Sequence, residues 1–336
     1  MVKKETRCLL CGEKAEFKMK RRGYQEPDVF NIYCCESCNT SFSLPRVETD
    51  SIYQLIYEQG DKVPGYDRYW RYFRDVKDCE NPIGYLINSE EAYWGAYSAI
   101  VNNLKLSKNA NILEIGSGLG YFTYSLYTAG FKSIKGLEIS QEAVDQATAS
   151  FGPLYICADI YEYAEENAGR YDAIILTEVI EHIEDPLKFI KVLYLLLKEG
   201  GGIIMTTPNK SFFPFFANWE TDLPPVHCWW FSENSLEYVA EKLSMSVSFV
   251  DFGHYYKEHE KLIFNTDLFN AESAHRFDVN GNILAVDKNI NYGILPKWLK
   301  KHRCYRKMKS FIYPILSNKY IATNHRSSVL CAIFVK

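Results

Sequence analysis

The feature that most constrains the fold is a glycine-rich turn that joins a short apolar segment to a helix-compatible one. The apolar segment spans residues 111–115, and glycines follow at positions 116, 118 and 120. Residues 121–129 then suit a helix, which Gly130 can end. Glycine lets the backbone approach a ligand closely, and the turn places the N-terminus of the following helix, with its free backbone N–H groups, beside that ligand. The sequence therefore predicts a strand, a ligand-binding turn and a helix at this position.

An acidic residue, Glu114, precedes the first glycine of this turn. The pattern is therefore E-x-G-x-G-x-G, whereas the dinucleotide-binding fingerprint is G-x-G-x-x-G. A carboxylate so close to the turn would repel a pyrophosphate, but it suits the cationic methionine portion of S-adenosylmethionine. The sequence thus favours a sulfonium ligand over a dinucleotide.

Two later apolar segments also end near acidic residues. Residues 133–139 predict a second strand with Glu138 at its end, where a carboxylate can accept hydrogen bonds from both ribose hydroxyls. Residues 155–160 predict a third strand that ends near Asp159, whose carboxylate can accept a hydrogen bond from an adenine amino group. The two acids therefore match the ribose and adenine parts of one nucleoside ligand.

Further segments continue an alternation of strands and helices. Strands are predicted at residues 171–177, 203–207, 246–252 and 328–335, the last of them antiparallel. A helix is predicted from Pro186, capped by Asp185, through Leu197, and the glycines at 200–202 are expected to stop it. Such an alternation implies an α/β fold with a doubly wound, mostly parallel sheet and a ligand at the carboxyl ends of its strands.

Taken together, these segments resemble the class I S-adenosylmethionine-dependent methyltransferases, in the branch that includes ubiquinone-pathway O-methyltransferases and many bacterial sugar or natural-product methyltransferases. The strings LEIGSGLGYFTYSL, LTEVIEHIEDPLKF and GGIIMTTPN occur in the family's order within residues 85–252. The resemblance implies a Rossmann-like sheet of seven strands. It also implies cofactor-binding roles for Glu114, Gly116, Gly118, Gly120, Glu138, Ile139, Asp159, Ile160, Thr177 and Glu178.

Two histidines are the candidate catalytic residues, because methyl transfer to a hydroxyl group requires a base near the sulfonium. His182 follows the fourth predicted strand directly, and His227 lies in an aromatic segment after the fifth. Each histidine also has a purely structural interpretation. A variant hypothesis places Glu178, Glu181 and His182 on one face of a helical turn, with His227 completing a site for Mg²⁺ or Mn²⁺. Plant-type small-RNA methyltransferases show a similar pattern.

Two C-x2-C pairs near the N-terminus predict a structural zinc site. Cys8 and Cys11 form the first pair and Cys35 and Cys38 the second, with 23 residues between the pairs. Cys34 could replace Cys35, although only Cys35 keeps the two-residue spacing to Cys38. Four protein ligands would leave no open position for water, so the metal is expected to be structural.

The chain divides into three predicted parts. Residues 1–48 form a zinc ribbon, residues 49–108 an aromatic helical lid or linker, and residues 109–336 the methyltransferase domain with an insertion at about 254–326. The insertion includes a basic segment at 297–309, which is interpreted either as a solvated helix or as a contact for an anionic acceptor or a membrane surface. The aromatic residues of the second part are interpreted either as core packing or as a lid over the active site.

Composition limits the functional classes further. Charged residues make up 24% of the 336 residues and the net charge is -4, so no overall positive field favours nucleic acid. We expect a cytoplasmic enzyme without a transmembrane segment that methylates a hydroxyl group of a small-molecule or glycan-type acceptor. The alternatives are an rRNA or RNA methyltransferase whose ribbon binds RNA, and a binding protein that retains the fold without catalysis.

Overall fold

The N-terminal part of the chain forms a small antiparallel sheet, and its last strand comes from residues 229–230. The computed structural model describes residues 4–63, 65–212, 223–258, 275–284 and 327–336. The four local strands are β1 Glu5–Arg7, β2 Lys14–Arg22, β3 Val29–Cys35 and β4 Ser41–Leu44. A strand at Trp229–Trp230 pairs with β4, so this ribbon sheet has five strands.

Four helices connect the ribbon sheet to the main sheet. They are α1 Asp50–Gln59, α2 Asp67–Asp78, α3 Pro82–Ser89 and α4 Glu91–Ser98, and a π-helical turn at Ala99–Asn103 follows. Helix α3 begins with Pro82 because the Asn81 side chain accepts a hydrogen bond from the Gly84 amide, at 3.1 Å. Buried side chains of α2 to α4 share one core with the main sheet, so this segment packs as part of the large domain.

The main sheet has seven strands, as the sequence predicted. In chain order they are β5 Ile112–Ile115, β6 Ile134–Glu138, β7 Tyr155–Cys157, β8 Tyr171–Thr177, β9 Leu197–Pro208, β11 Ser246–Phe249 and β12 Val329–Val335, with β10 being the strand at Trp229–Trp230. Their order across the sheet is β11-β12-β9-β8-β5-β6-β7. Strand β12 runs antiparallel to both of its neighbours, and the other strand pairs are parallel. This confirms the mostly parallel, doubly wound fold class.

Helices of the main domain begin where the sequence supplies caps. They are α5 Tyr121–Thr128, α6 Gln141–Phe151, α7 Ile160–Glu166, α8 Pro186–Leu196, α9 Glu233–Leu243 and α10 Gly253–Glu258, and a 3₁₀ turn spans Ile180–His182. The Asp185 carboxylate accepts a hydrogen bond from the Lys188 amide at 3.0 Å, and Pro186 opens α8. Ser232 and Ser235 form a reciprocal capping box at the start of α9.

Some boundaries differ from the sequence-based expectation. Helix α8 ends at Leu196, so Leu197 begins β9, and the glycines at 200–202 lie inside that strand instead of stopping a helix. Strand β7 ends at Cys157, which leaves Asp159 free to cap α7. Both differences arise because pairing between distant strands, which local sequence does not encode, decides where β7 ends and where β9 begins.

Several predictions fall outside the described residues. These include the basic segment at 297–309, most of the predicted insertion at 254–326, and residues 213–222 of the loop that precedes His227. Within the described part of the chain, no helix combines the length and the apolarity needed to cross a bilayer.

Candidate functional site

A cavity of about 660 Å³ lies beyond the carboxyl ends of β5, β6 and β8. Its walls come from the loops that follow these strands, from the segment around His227, and from helices α1, α2 and α4. Carboxylates, glycine backbone, aromatic rings and two histidines therefore face one shared space. Among the sequence-predicted site residues, those that line it are Glu114, Gly116, Gly118, Glu138, Ile139, Thr177, Glu178, His182 and His227.

Glu138 connects the loop that follows β5 to the loop that follows β6. It stands at the end of β6 and is buried. One carboxylate oxygen accepts a hydrogen bond from the Gly118 amide at 2.8 Å, and the other accepts from the amides of Ile139 and Ser140 at 2.9 and 3.1 Å. Its charge is thus held by backbone donors beside the glycine turn, in the position where the sequence predicted a ribose-binding acid.

The three glycines of the turn are required for different reasons. All have positive φ, namely +68° at Gly116, +50° at Gly118 and +80° at Gly120. A Cβ atom at Gly116 would lie 2.9 Å from Val179 Cγ2, and one at Gly120 would lie 2.5 Å from the Tyr155 ring. A Cβ atom at Gly118 would meet no protein atom within 4 Å. Gly118 is therefore the position where the backbone leaves space for something that is not protein. Gly120 does not line the cavity.

Glu114 is buried at the end of β5 and accepts a hydrogen bond from the Thr123 hydroxyl of α5. Burial raises the pKa of this carboxyl to about 8, and the nearby Glu138 adds a smaller effect in the same direction. The raised pKa means that the carboxyl is mostly protonated at neutral pH when no cation is near. Glu114 can therefore exchange its proton for the positive charge of a bound ligand.

Asp159 and Ile160 lie at the start of α7, next to the sheet edge. The Asp159 Oδ1 atom accepts hydrogen bonds from the amides of Tyr161 and Glu162, so the side chain caps this helix. Within the described part of the chain, neither Asp159 nor Ile160 lines the cavity. Their adenine-binding roles remain predictions, and Asp159 has a structural role in addition.

Thr177 and Glu178 follow β8 directly and both line the cavity. Glu178 adopts a φ of +56°, a conformation that is costly for a residue with a side chain. Such local strain persists only where the surrounding structure demands it, and it is commonly found at functional sites. The backbone at Glu178 therefore bends sharply between the sheet and the turn that carries His182.

His182 and His227 meet in the cavity although 44 residues separate them in sequence. Their rings pack edge to face with centroids 4.4 Å apart, and His182 Nδ1 lies 2.8 Å from the Val226 carbonyl oxygen. Because a carbonyl only accepts hydrogen bonds, Nδ1 of His182 carries a proton. Burial lowers the pKa of His182, and burial together with His182 lowers the pKa of His227 well below its usual range. Both imidazoles are therefore neutral at pH 7.

The hypothetical divalent-metal site is present in part. Donor atoms of Glu181, His182 and His227 all lie within 4.8 Å of one another. Glu178 lines the cavity but does not join that group of donors. Glu181 is fully buried and accepts a hydrogen bond from the Thr207 hydroxyl at 3.0 Å. Two neutral imidazoles and one carboxylate suit Mn²⁺ better than Mg²⁺, which prefers oxygen ligands.

Sequence analysis missed several cavity residues. Arg68 of α2 pairs with the Glu90 carboxylate at 3.1 Å and donates to the Tyr69 hydroxyl at 2.8 Å, and all three residues line the cavity. The available signal was the presence of two arginines, Arg68 and Arg71, within the aromatic run at 66–73. Ser117 and Ser140 also line the cavity, and their positions beside Gly116 and Glu138 could have indicated this.

The four cysteines predicted to bind zinc converge in the ribbon sheet. Their sulfur atoms all lie within 4.8 Å of one another, with Cys8 and Cys38 at 3.7 Å and Cys11 and Cys35 at 3.5 Å. Tetrahedral zinc with sulfur ligands at 2.3 Å requires sulfur atoms about 3.8 Å apart. Cys34 is not part of this group, and its sulfur faces Lys210 Nζ at 3.1 Å. The donor set therefore fits one tetrahedral metal ion.

Comparisons with known proteins relate part of this chain to methyltransferases. A family model described as a methyltransferase domain matches residues 90–243. The mitochondrial ubiquinone biosynthesis O-methyltransferase of Dictyostelium discoideum is 31% identical over 139 residues, which cover 35% of this chain and 43% of that protein. The ubiquinone biosynthesis O-methyltransferase of Vibrio parahaemolyticus is 31% identical over 105 residues, which cover 30% of this chain and 44% of that protein. The chain thus spans less than half the length of these relatives.

Similarity to solved structures is more distant. A SAM-dependent methyltransferase from Archaeoglobus fulgidus is 14% identical, with a TM-score of 0.40 over 71% of this chain and 99% of that chain.

Proposed function

We propose that this chain, whose residues 90–243 match a family model described as a methyltransferase domain, transfers the methyl group of S-adenosylmethionine to a hydroxyl group of a small-molecule or glycan-type acceptor. The curated relatives, which are named for O-methylation in ubiquinone biosynthesis, support a small acceptor and an oxygen nucleophile.

One observation carries the proposal, namely that Glu114, Gly118 and Glu138 line the same cavity as His182 and His227. Glu138 and the open space at Gly118 suit the ribose, and Glu114 suits the positive charge of the methionine portion. His182 and His227 supply bases in the same space. A dinucleotide enzyme would not need a buried acid directly before the glycine turn.

Methyl transfer to oxygen is an in-line displacement at the sulfonium methyl carbon. The acceptor oxygen forms the new bond to carbon while the carbon–sulfur bond breaks and leaves its electron pair on sulfur. The hydroxyl proton must go to a base. A neutral imidazole offers one unprotonated nitrogen for this purpose, and His227 is our first candidate. His182 is the second candidate, and its hydrogen bond to Val226 orients its ring against His227.

The walls of the cavity indicate what kind of acceptor fits. Aromatic rings from α1 and α2 and the turn between them line it, together with Ile56. Flat or ring-shaped acceptors stack well on such side chains, which suits a phenol or a sugar. These lining rings are Tyr53, Tyr66, Tyr69 and Trp70.

A second candidate mechanism uses a divalent cation, and the convergence of Glu181, His182 and His227 favours it. If bound there, the cation would lower the pKa of an acceptor hydroxyl and so promote its ionisation. In that case the histidines act as ligands, and the proton of the acceptor hydroxyl passes to solvent water instead of to an imidazole. Loss of turnover in EDTA and recovery with Mn²⁺ would support this version, and full turnover in EDTA would exclude it.

We further propose that Cys8, Cys11, Cys35 and Cys38 hold a structural Zn²⁺. Their sulfur spacing fits tetrahedral coordination by four thiolates. The zinc would provide folding energy to a small sheet with a limited core. Metal analysis of the purified protein, expected at about one zinc per chain, tests this assignment.

The proposed function is tested by offering radiolabelled S-adenosylmethionine together with a panel of phenols, catechols, sugars and RNA. We expect label to appear on a hydroxyl compound, and a Glu138→Ala variant to lose most of this transfer because it lacks the ribose-binding acid. Binding of NAD or ATP with no binding of S-adenosylmethionine would overturn the proposal. Labelling confined to RNA, with a steep dependence on salt, would identify an RNA methyltransferase instead.

A further inference from the structure

The ribbon sheet and the cavity share one segment of the chain, residues 226–232. At one end of this segment His227 lines the cavity, and two residues later β10 joins the ribbon sheet. We propose that the cysteine ribbon is a positioning element of the active site, whose closed metal site fixes the strand that holds His227 against His182. The inference rests on the proposed function for the role of His227 in catalysis and on the proposed zinc site.

The ribbon side of this connection consists of backbone pairing and ring contacts. Trp229 pairs with Phe42 of β4, and the Ser43 amide donates to the Cys228 carbonyl oxygen at 3.1 Å. The Trp229 side chain is almost fully buried and packs against Phe42 with ring centroids 5.8 Å apart. Residues of the ribbon and of the main domain belong to one continuous core, so the ribbon is not an independent appendage.

The second cysteine pair is itself tied to the segment after β10. The Cys38 carbonyl oxygen accepts a hydrogen bond from the Ser235 hydroxyl at 3.1 Å, and the Thr40 hydroxyl donates to Ser235 Oγ at 2.9 Å. The Ser232 hydroxyl donates to the carbonyl oxygen of Asn39 at 3.1 Å. The turn that carries Cys38 therefore also holds the cap of α9.

The cavity side of the connection holds the turn that carries His182. The Cys228 amide donates to the Glu181 carbonyl oxygen at 3.0 Å, and the Trp229 indole donates to the Ile183 carbonyl oxygen at 2.7 Å. His182 itself is bonded to the Val226 carbonyl oxygen. The positions of both histidines thus depend on where residues 226–229 lie, and that strand is in turn fixed by β4.

Among the described residues, the carboxylates on the cofactor side of the cavity are held by hydrogen bonds that do not involve the ribbon. Glu138 is held by amides of Gly118, Ile139 and Ser140, and Glu114 by Thr123, all within the main sheet and its loops. Opening the ribbon should therefore loosen the histidine side and leave the nucleoside side in place. A general stabilising role would instead affect both sides together.

The experiment compares the zinc-loaded chain with the same chain stripped by a chelator, and with a Cys11→Ser variant. Hydrogen exchange measured by mass spectrometry should become about 10-fold faster in residues 226–236 and stay unchanged in residues 112–118 and 134–139. The histidines should become reactive to diethylpyrocarbonate. The dissociation constant for S-adenosylhomocysteine, measured by calorimetry, should change by less than about twofold.

Two further variants, which keep all four cysteines, distinguish the positioning role from a simple unfolding of the ribbon. Thr40→Val keeps all four cysteines and the side-chain volume but removes the hydrogen bonds of the Thr40 hydroxyl to Ser235 and to the Cys38 sulfur. We expect it to speed exchange in residues 226–236 while zinc, counted by metal analysis of the variant, stays bound. Thr6→Val makes the same change in β1, at the opposite edge of the ribbon sheet, and should leave that exchange unchanged.

Three results would overturn the inference. The first is a zinc-free chain whose residues 226–236 exchange at the original rate. The second is equal loosening of residues 112–118 with a parallel loss of S-adenosylhomocysteine affinity, which would indicate general stabilisation only. The third is a chain that binds no zinc. If the intact chain fails to bind S-adenosylhomocysteine, the proposed function fails, but the exchange and labelling results still decide the positioning role.

Discussion

The imidazole rings of His182 and His227 meet edge to face, with centroids 4.4 Å apart, inside the cavity that Glu138 also lines. The two rings come from different parts of the chain, one from the turn after β8 and one from the segment before β10. Burial keeps both neutral, so each is ready to accept a proton. Their contact links the end of the main sheet to the ribbon.

We expect His227→Gln to lower kcat by about 100-fold or more, because it removes the proposed base from the reaction. His182→Gln should have a smaller effect, since the glutamine amide can still donate to the Val226 carbonyl oxygen. Neither change should alter the affinity for S-adenosylhomocysteine. Steady-state kinetics with a hydroxyl acceptor from the panel and calorimetry provide the two measurements. Equal turnover in wild type and His227→Gln would remove His227 as the base.

The buried histidines also predict how stability depends on pH. The pKa of His227 is lower in the folded chain than in the unfolded chain, where it is about 6.5. Below pH 6.5 the unfolded chain therefore binds a proton that the folded chain does not, so stability falls as the pH decreases. Between pH 7 and pH 5.5 this costs about 1 kcal/mol for one such histidine.

Urea unfolding at the two pH values measures this cost. His227→Gln should lose less stability than the wild type over the same interval, because glutamine does not titrate. His254→Gln, at an exposed position, serves as the control and should behave like the wild type. If the wild type and His227→Gln lose stability equally, His227 is not the neutral, buried group described above.

Gly118 allows a direct test of where the ligand lies. Gly118→Ala places a methyl group where no protein atom lies within 4 Å, so the collision it causes is with the ligand. We expect the dissociation constant for S-adenosylhomocysteine to rise about 10-fold or more. Gly169→Ala is the matched control, because Gly169 also has a positive φ, of +67°, and equally open surroundings but does not line the cavity.

Both alanine variants should lose similar stability, about 1 kcal/mol, because alanine disfavours a positive φ. Thermal unfolding without ligand measures that shared cost. Unchanged ligand affinity in Gly118→Ala would show that the glycine turn does not contact the cofactor.

Much of the fold and half of the site could be predicted from local sequence. The glycine turn and Glu138 follow strands directly, and parallel strands bring their carboxyl ends to one edge, so their meeting follows from topology. The four cysteines were predictable for a similar reason, because the C-x2-C spacing encodes its own turn. The structure brings Glu114, Gly118 and Glu138 together as that reasoning expects.

The features of the fold and the site that could not be predicted depend on contacts between segments that are distant in sequence. Nothing local marks Trp229 and Trp230 as the fifth strand of the ribbon sheet, because an edge strand of two residues has no pattern of its own. The 3.1 Å pairing of Arg68 with Glu90 depends on the packing of α2 beside α4, which periodicity alone does not predict. Asp159 shows a further limit, since its carboxylate caps a helix as well as standing where an adenine-binding acid is expected.

The last prediction concerns the proton on Glu114. Because burial raises the pKa of this carboxyl to about 8, it carries about 0.9 proton at pH 7 in the free chain. A bound sulfonium or ammonium group would favour the carboxylate and lower that pKa, so cofactor binding should release the proton to the buffer. Near pH 9 the free carboxyl is already ionised, and the release should fall to about 0.1 proton.

Calorimetry of S-adenosylmethionine binding in phosphate and in Tris at the same pH measures the released proton, because the two buffers differ in ionisation enthalpy. Glu114→Gln resembles the protonated carboxyl in shape and keeps an acceptor for Thr123, but it has no proton to lose in this range. The variant should therefore bind more weakly and show no buffer dependence from this site. If the wild type and Glu114→Gln release the same number of protons, then Glu114 does not exchange its proton for the charge of the cofactor, and the carboxylate before the glycine turn has a purely structural role.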